Sequence, residues 1–337
     1  IGFLPTYQSI GVMAPLLLVV LRFVQGLAIG GQWGGAMLLV TESAPKDQRG
    51  WYGAYAQAGA PVGVILANLA FLGVSASLSE ADFMDWGWRL PFIASFVLIL
   101  ISMYVQLKLE DTPAFKALAA NQAPKDTAQQ TVVKSPIVEV LRRYPKRIVL
   151  AAGAFLSIQV TFYILIAYGV AYGVNSPTVT LSRDMMLTAV LVAAAIMVPS
   201  QFYFSGLSDR LGRKTVYRWG AILTGLWGFA LFPLIDTGQP VLICFAVTMG
   251  LVFLGMQYGP QAAFFTELFS TEVRYSGASL GYQLGAIVGG ALAPTIAVLL
   301  WNNFGIFWVS VYIALAAILT LMSLSQLTET QGSDLTD

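Results

Sequence analysis

The sequence predicts an all-α membrane protein, a bundle of transmembrane helices arranged as two parallel-repeat lobes. Three observations predict it. The 337 residues are 57% hydrophobic and 10% charged, with a mean hydropathy of +0.73, whereas a soluble domain carries about 25% charged residues. Nine apolar runs reach or approach the roughly 20 residues that a helix needs to cross a bilayer. One stretch of the chain also repeats itself 225 residues further on.

The runs, in order, are Val12–Val40, Trp51–Leu78, Leu90–Leu107, Ile148–Tyr172, Met185–Leu207, Val216–Ile235, Val241–Phe265, Ser276–Leu300 and Phe304–Leu324. Turn-forming and charged residues separate them: Thr41–Arg49, Ser79–Arg89, Ser208–Lys214, Asp236–Pro240 and Asn302–Gly305. One break is long. Glu110–Arg147 is rich in Lys, Gln, Ala and Pro and reads as a linker, with a short amphipathic piece near Pro136–Arg143. The predicted organisation is therefore a first bundle over 1–109, a linker over 110–147, a six-helix bundle over 148–326 and a tail over 327–337.

Composition excludes several functions. There is no His, and Cys244 is the one Cys. Ser-His-Asp catalysis, His-ligated zinc and an internal disulfide are therefore out of reach of this chain. A net charge of +1 without a basic face argues against nucleic acid. No cofactor or metal is called for, and the expected surroundings are the lipid bilayer. When alternate breaks are assigned to one side, 15 of the 18 Lys and Arg fall there. The positive-inside rule then makes the linker and the C-terminus cytoplasmic.

The repeat is specific. Gly30-x-Gln32-Trp33-Gly34 returns as Gly255-x-Gln257-Tyr258-Gly259. Thr41-Glu42-x4-Asp47-x-Arg49 returns as Thr266-Glu267-x4-Glu272-x-Arg274, with the same gap between the two motifs. Both copies run in one direction, so the halves are parallel repeats about an axis along the membrane normal. Six runs follow the linker and three precede it, which leads us to expect a chain that lacks about three helices at its front.

Two constellations could carry chemistry. Ser205-Gly-Leu-Ser-Asp209-Arg210-Leu-Gly212-Arg213-Lys214 ends one run and begins the next. Gly212 permits a tight turn, and Asp209 can accept from the N–H groups of the next helix or pair with Arg. By itself the segment also fits a plain positive-inside turn. Arg22 lies about ten residues inside its run, too deep to snorkel easily. Such an Arg is expected to face a bundle interior or a wet cavity, or to pair with a carboxylate of another helix.

The Asp209 loop resembles the G-x-x-x-D-R-x-G-R-[RK] motif of the major facilitator superfamily. Ser205 stands at its first Gly, so a looser helix contact is expected there. Arg22-Phe-Val-Gln25-Gly26 resembles that superfamily's R-x-x-x-G motif. Together with Gln25–Gly35, Thr41-Glu42, Asp85-Trp-Gly-Trp-Arg-Leu-Pro91, Glu110-Asp-Thr-Pro113 and Thr271–Gly277, the chain resembles the metabolite:proton symporter family over Ile1 to about Thr330. The resemblance implies a major facilitator-like helical bundle with about nine of its twelve transmembrane helices present. It also implies a bacterial inner-membrane location and proton-coupled uptake of a small organic acid or zwitterion, with protons as the coupling ion.

Arg22, with Gln25, Trp33, Gln57, Gln159, Tyr163, Gln257, Tyr258 and Gln261, is expected to serve substrate or coupling, although a mid-span polar or aromatic residue also fits plain helix packing. Glu42, Arg49, Asp209, Arg210, Gly212, Arg213, Glu267 and Arg274 are expected to form an inner gate, with helix caps and exposed ion pairs as the alternative. No Asp or Glu lies at mid-span, which keeps an uncoupled facilitator open, as well as a sensor or scaffold of the same fold. Gly277-Ala-Ser279-Leu-Gly281 matches an esterase pattern but sits in a membrane run without any His. The small-residue steps Gly26/Gly30/Gly34 and Gly281/Gly285/Gly289 are expected to pack helices within one chain, consistent with a monomer.

Overall fold

The apolar runs become nine membrane-length helices among the described residues. The structure is a computed structural model and describes residues 1–30, 32–108, 141–269 and 274–333. The helices are α1 (Met13–Ser43), α2 (Arg49–Ser77), α3 (Gly87–Lys108), α4 (Pro145–Asn175), α5 (Arg183–Leu211), α6 (Arg213–Asp236), α7 (Pro240–Glu267), α8 (Arg274–Phe304) and α9 (Ile306–Gln326). No strand occurs among the described residues. Most helices overshoot their apolar runs by a few residues. Arg49, Arg183, Arg213 and Arg274 each open a helix.

The expected linker and its amphipathic piece fall largely outside the described residues. Leu141–Arg143 is helical, and α4 begins at Pro145 rather than at Ile148. A proline in the first turn gives up an N–H that has no intrahelical partner anyway.

The internal repeat assigns α1–α3 to a first lobe and α4–α9 to a second. Within the second lobe α7 packs on α5 and α6, while α4 packs on α8 and α9. Gly281, Gly285 and Gly289 let α8 approach Ala151, Phe155 and Leu156 of α4, the close van der Waals packing that holds helices together in lipid. The lobes meet where α2 lies on α5 and α7, and where α1 lies on α7 and α8.

Three of the helix interruptions lie beside the lobe boundary or the cavity described below. In α2 the segments Arg49–Gln57 and Gly59–Ser77 join at Ala58. Pro61 removes the N–H that the Gln57 carbonyl would otherwise receive. In α4 a π-helical turn spans Ile164–Tyr168, and in α8 another spans Ala286–Ala291 just before Pro294. Such turns recur at functional sites, and these two flank the cavity described below.

Arg22 of α1 is exposed, and it donates to Gln25 Oε1 at 3.3 Å. Ala14 is the only buried residue of Met13–Ile29. The segment around Pro15–Leu21 is apolar on every side, so its sequence contains no stripe to say which face turns inward. Gly26 likewise has open space beside it instead of a packed helix.

Candidate gate and cavity

At the arginine-rich end the two copies of the repeat pair crosswise. Glu42 in the first lobe accepts from Arg274 in the second at 3.3 Å. The repeat-mates of those two residues are Glu267 and Arg49, and they pair at 3.8 Å in the opposite sense. Arg213 joins from the side, 3.4 Å from Glu267 and 2.5 Å from Asp209. These are buried ions: the side chains of Arg49, Glu267, Arg213, Arg274, Glu42 and Asp209 all expose 9% or less. Removing one member of such a pair strands the other and costs about 3–5 kcal/mol, far above the value of an exposed pair.

Asp209 corrects a detail of the sequence reading. Its carboxylate does not cap α6, the helix that follows it. It accepts at 2.9 Å from the backbone N–H of Gly50 and at 2.9 Å from that of Trp51. Those groups open α2 in the other lobe, where the positive end of the helix dipole favours an anion. The approach requires glycine: a Cβ on Gly50 would stand 2.7 Å from the Ser205 carbonyl oxygen and 2.8 Å from Asp209 Oδ1. Ser205 is fully buried in this contact, so the looser packing expected at that position is not found.

The cap on α6 comes from the tail instead. Gly212 turns the chain with a φ of +99°, in the left-handed region that glycine tolerates. Glu329 then accepts from the N–H of Arg213 at 2.9 Å and of Lys214 at 3.0 Å. The tail continues across the gate. Thr330 donates to Glu267 at 2.8 Å, and Arg49 donates to the Ser333 carbonyl at 2.8 Å. Gln331 donates to the Asp209 carbonyl and Lys214 to that of Leu327. Arg210 stays exposed at the rim.

Above the gate lies a cavity of about 80 Å³ between the lobes. Ile158, Gln159, Phe162, Tyr163, Met197, Leu254, Tyr258 and Tyr282 line it from the second lobe, and Ala60 from the first. That volume is smaller than the roughly 300–1,000 Å³ of pockets that hold metabolites. Trp33 seals one side, its ring stacked on Tyr282 with centroids 4.6 Å apart and planes 8° from parallel.

The predicted cavity residues divide. Gln159, Tyr163 and Tyr258 do line the cavity. Trp33 and Gln57 are buried beside it, with the Trp33 indole N–H donating to Gln57 Oε1 at 3.2 Å. Gln57 in turn donates across the lobe boundary to the Tyr258 carbonyl at 2.9 Å and to Gln261 Oε1 at 3.1 Å. Gln257 turns away and donates to Thr224 at 2.7 Å inside the second lobe. Arg22 and Gln25 are exposed and do not line it. Two further amides stitch the lobes: Gln201 donates to the Ala54 carbonyl at 3.3 Å and Gln283 to that of Gly30 at 2.7 Å.

A family model described as the Major Facilitator Superfamily matches residues 1–280. The inner membrane metabolite transport protein YhjE of Escherichia coli K12 is 40% identical over 99% of this chain and 75% of its own. The shikimate transporter of the same organism is 35% identical over 94% of this chain and 71% of its own. The E. coli proline/betaine transporter is 30% identical over 99% and 67%. All three are named as transporters, not enzymes. The proton:xylose symporter XylE, solved with 6-bromo-6-deoxy-D-glucose, aligns with a TM-score of 0.67 over 89% of this chain and 68% of its own, at 16% identity. That likeness shows a common fold. A family match over most of its residues, a 40% identical relative and nine membrane-length helices in two lobes together make this chain a membrane transporter of the major facilitator superfamily.

Proposed function

We propose that the protein takes up a small organic acid or zwitterionic metabolite, of the shikimate or betaine kind, across the bacterial inner membrane together with protons. The two lobes rock about the cavity and expose it to one side at a time. One observation carries this reading: a small cavity lined by one amide and three phenols among apolar side chains lies on the same lobe boundary as a crosswise pair of buried salt bridges, one acid and one base from each lobe. That contact is complete in one arrangement of the lobes and lost in another. The gate end faces the cytoplasm in this reading, because that side, with the linker, holds 15 of the 18 Lys and Arg. Gln159 and Tyr163 contact the solute, and Tyr258 forms part of the wall.

The full-length protein in proteoliposomes tests it. Uptake of shikimate, glycine betaine, proline and dicarboxylates is measured under an inward proton gradient. Accumulation of one of them that collapses with a protonophore is the expected result. Gln159→Ala is expected to raise half-saturation about fivefold or more, the loss of one buried hydrogen bond.

A second reading is an uncoupled facilitator. It is favoured by the lack of any Asp or Glu at mid-span among the described residues, since proton coupling needs a titratable group in the pathway. Uptake that equilibrates and ignores the protonophore would select it. Binding without uptake would select a sensor of the same fold.

A further inference from the structure

The structure assigns to Gln57 a role other than solute contact: we infer that it is a positioning residue, a pin that makes closure of the lobes depend on what fills the cavity. The inference rests on the carrier reading above.

Begin with the amide's inventory. A Gln side chain offers one carbonyl and two N–H donors. Gln57 has no exposed surface. Its carbonyl receives the Trp33 indole N–H at 3.2 Å. Its amino group gives hydrogen bonds to the Tyr258 carbonyl at 2.9 Å and to Gln261 Oε1 at 3.1 Å, both on α7 of the other lobe. Its carbonyl and both donors are thus engaged within the protein, and it does not line the cavity. The Ala58 interruption, caused by Pro61, sets this side chain at the lobe boundary.

Trp33 supplies the connection to the cavity. Its face rests on Tyr282, which lines the cavity, and its N–H rests on Gln57. The 225-residue offset relates Trp33 to Tyr258 and Gln57 to Tyr282. The four positions therefore meet crosswise, like the salt bridges below them. A solute cannot enter an 80 Å³ space without displacing the surrounding phenols. Displacing Tyr282 removes the support under Trp33, and the indole N–H then leaves Gln57. A buried carbonyl left without its donor favours separation of the lobes by on the order of tenfold. In the second copy a Tyr occupies the pin position, so the device operates from one lobe only.

The test uses the full-length protein in lipid nanodiscs with Cys244→Ala and spin labels at Gln48→Cys and Leu211→Cys. Those positions are exposed and lie at the gate end, one in each lobe. Pulsed electron resonance gives the ratio of short to long distances, without ligand and with shikimate or glycine betaine. Gln57→Leu is expected to lower the short-to-long ratio about tenfold. Trp33→Phe, which keeps a ring on Tyr282 but loses the N–H, is expected to lower it several-fold and to add little on top of Gln57→Leu.

Gln57→Asn, one methylene shorter, gives the same reading with an intermediate shift if the Leu variant does not fold. A ratio that stays within twofold of wild type in the Gln57 variants, or effects of Gln57 and Trp33 that simply multiply, overturns the inference while leaving the carrier intact. A wild-type protein with one distance that neither solute nor pH alters overturns both.

Discussion

Arg213 touches both acids of the gate's second lobe, and it illustrates how a residue's value depends on its burial. Its guanidinium exposes 1% and lies between Asp209 and Glu267. Substituting one ion of such a cluster should cost about 3–5 kcal/mol in the closed arrangement. Glu42→Arg alone should therefore abolish transport or bias the carrier open. The exchange Glu42→Arg with Arg274→Glu should recover much of the loss, because only the direction of the pair is reversed. Solute uptake by the single and double variants checks this; equal loss in both would mean that the pair does not act as a unit.

The repeat made the Glu42/Arg49/Glu267/Arg274 set legible in the sequence, since a fixed offset demands a shared cause. It did not disclose the crosswise pairing, which depends on how the lobes face each other.

At the scale of elements, helix ends and interruptions do most of the positioning. Asp209 caps α2 across the lobe boundary, and Glu329 caps α6 from the tail. Glu329→Ala should lower thermal stability by about 1 kcal/mol, the usual value of an N-terminal cap, and should loosen the tail from Arg49. Melting of the purified protein and protease sensitivity beyond Gln326 measure the two effects. The tail escaped the sequence reading because Thr328–Ser333 is a short polar string without period. Its meaning arises only when Gly212 turns α5 into α6 beside it. The nine spans, in contrast, were legible to within about four residues at each end, because bilayer thickness fixes the length of an apolar helix.

For the whole molecule, the lobe interface is the quantity that function must change. Gly53 of α2 meets Ala262 of α7 closely enough that a Cβ on Gly53 would lie 2.9 Å from the Ala262 Cβ. A disulfide needs about 3.5–4.5 Å between such atoms, which a small local shift supplies. Gly53→Cys with Ala262→Cys, in a Cys244→Ala background, should cross-link on oxidation and stop uptake, with recovery in reductant. Undiminished uptake by the oxidised, cross-linked protein would contradict rocking of the lobes about this contact.

The crossed salt bridges have one more consequence. Each lobe contributes one cation and one anion to them, and Asp209 with Arg213 adds a balanced couple to the second lobe. Parting therefore carries no net charge with either lobe. A membrane potential does work only on net charge that moves through it, about 2.3 kcal/mol per charge per 100 mV. The gate is thus electrically silent, and any voltage sensitivity of the cycle must come from the solute and ions it carries.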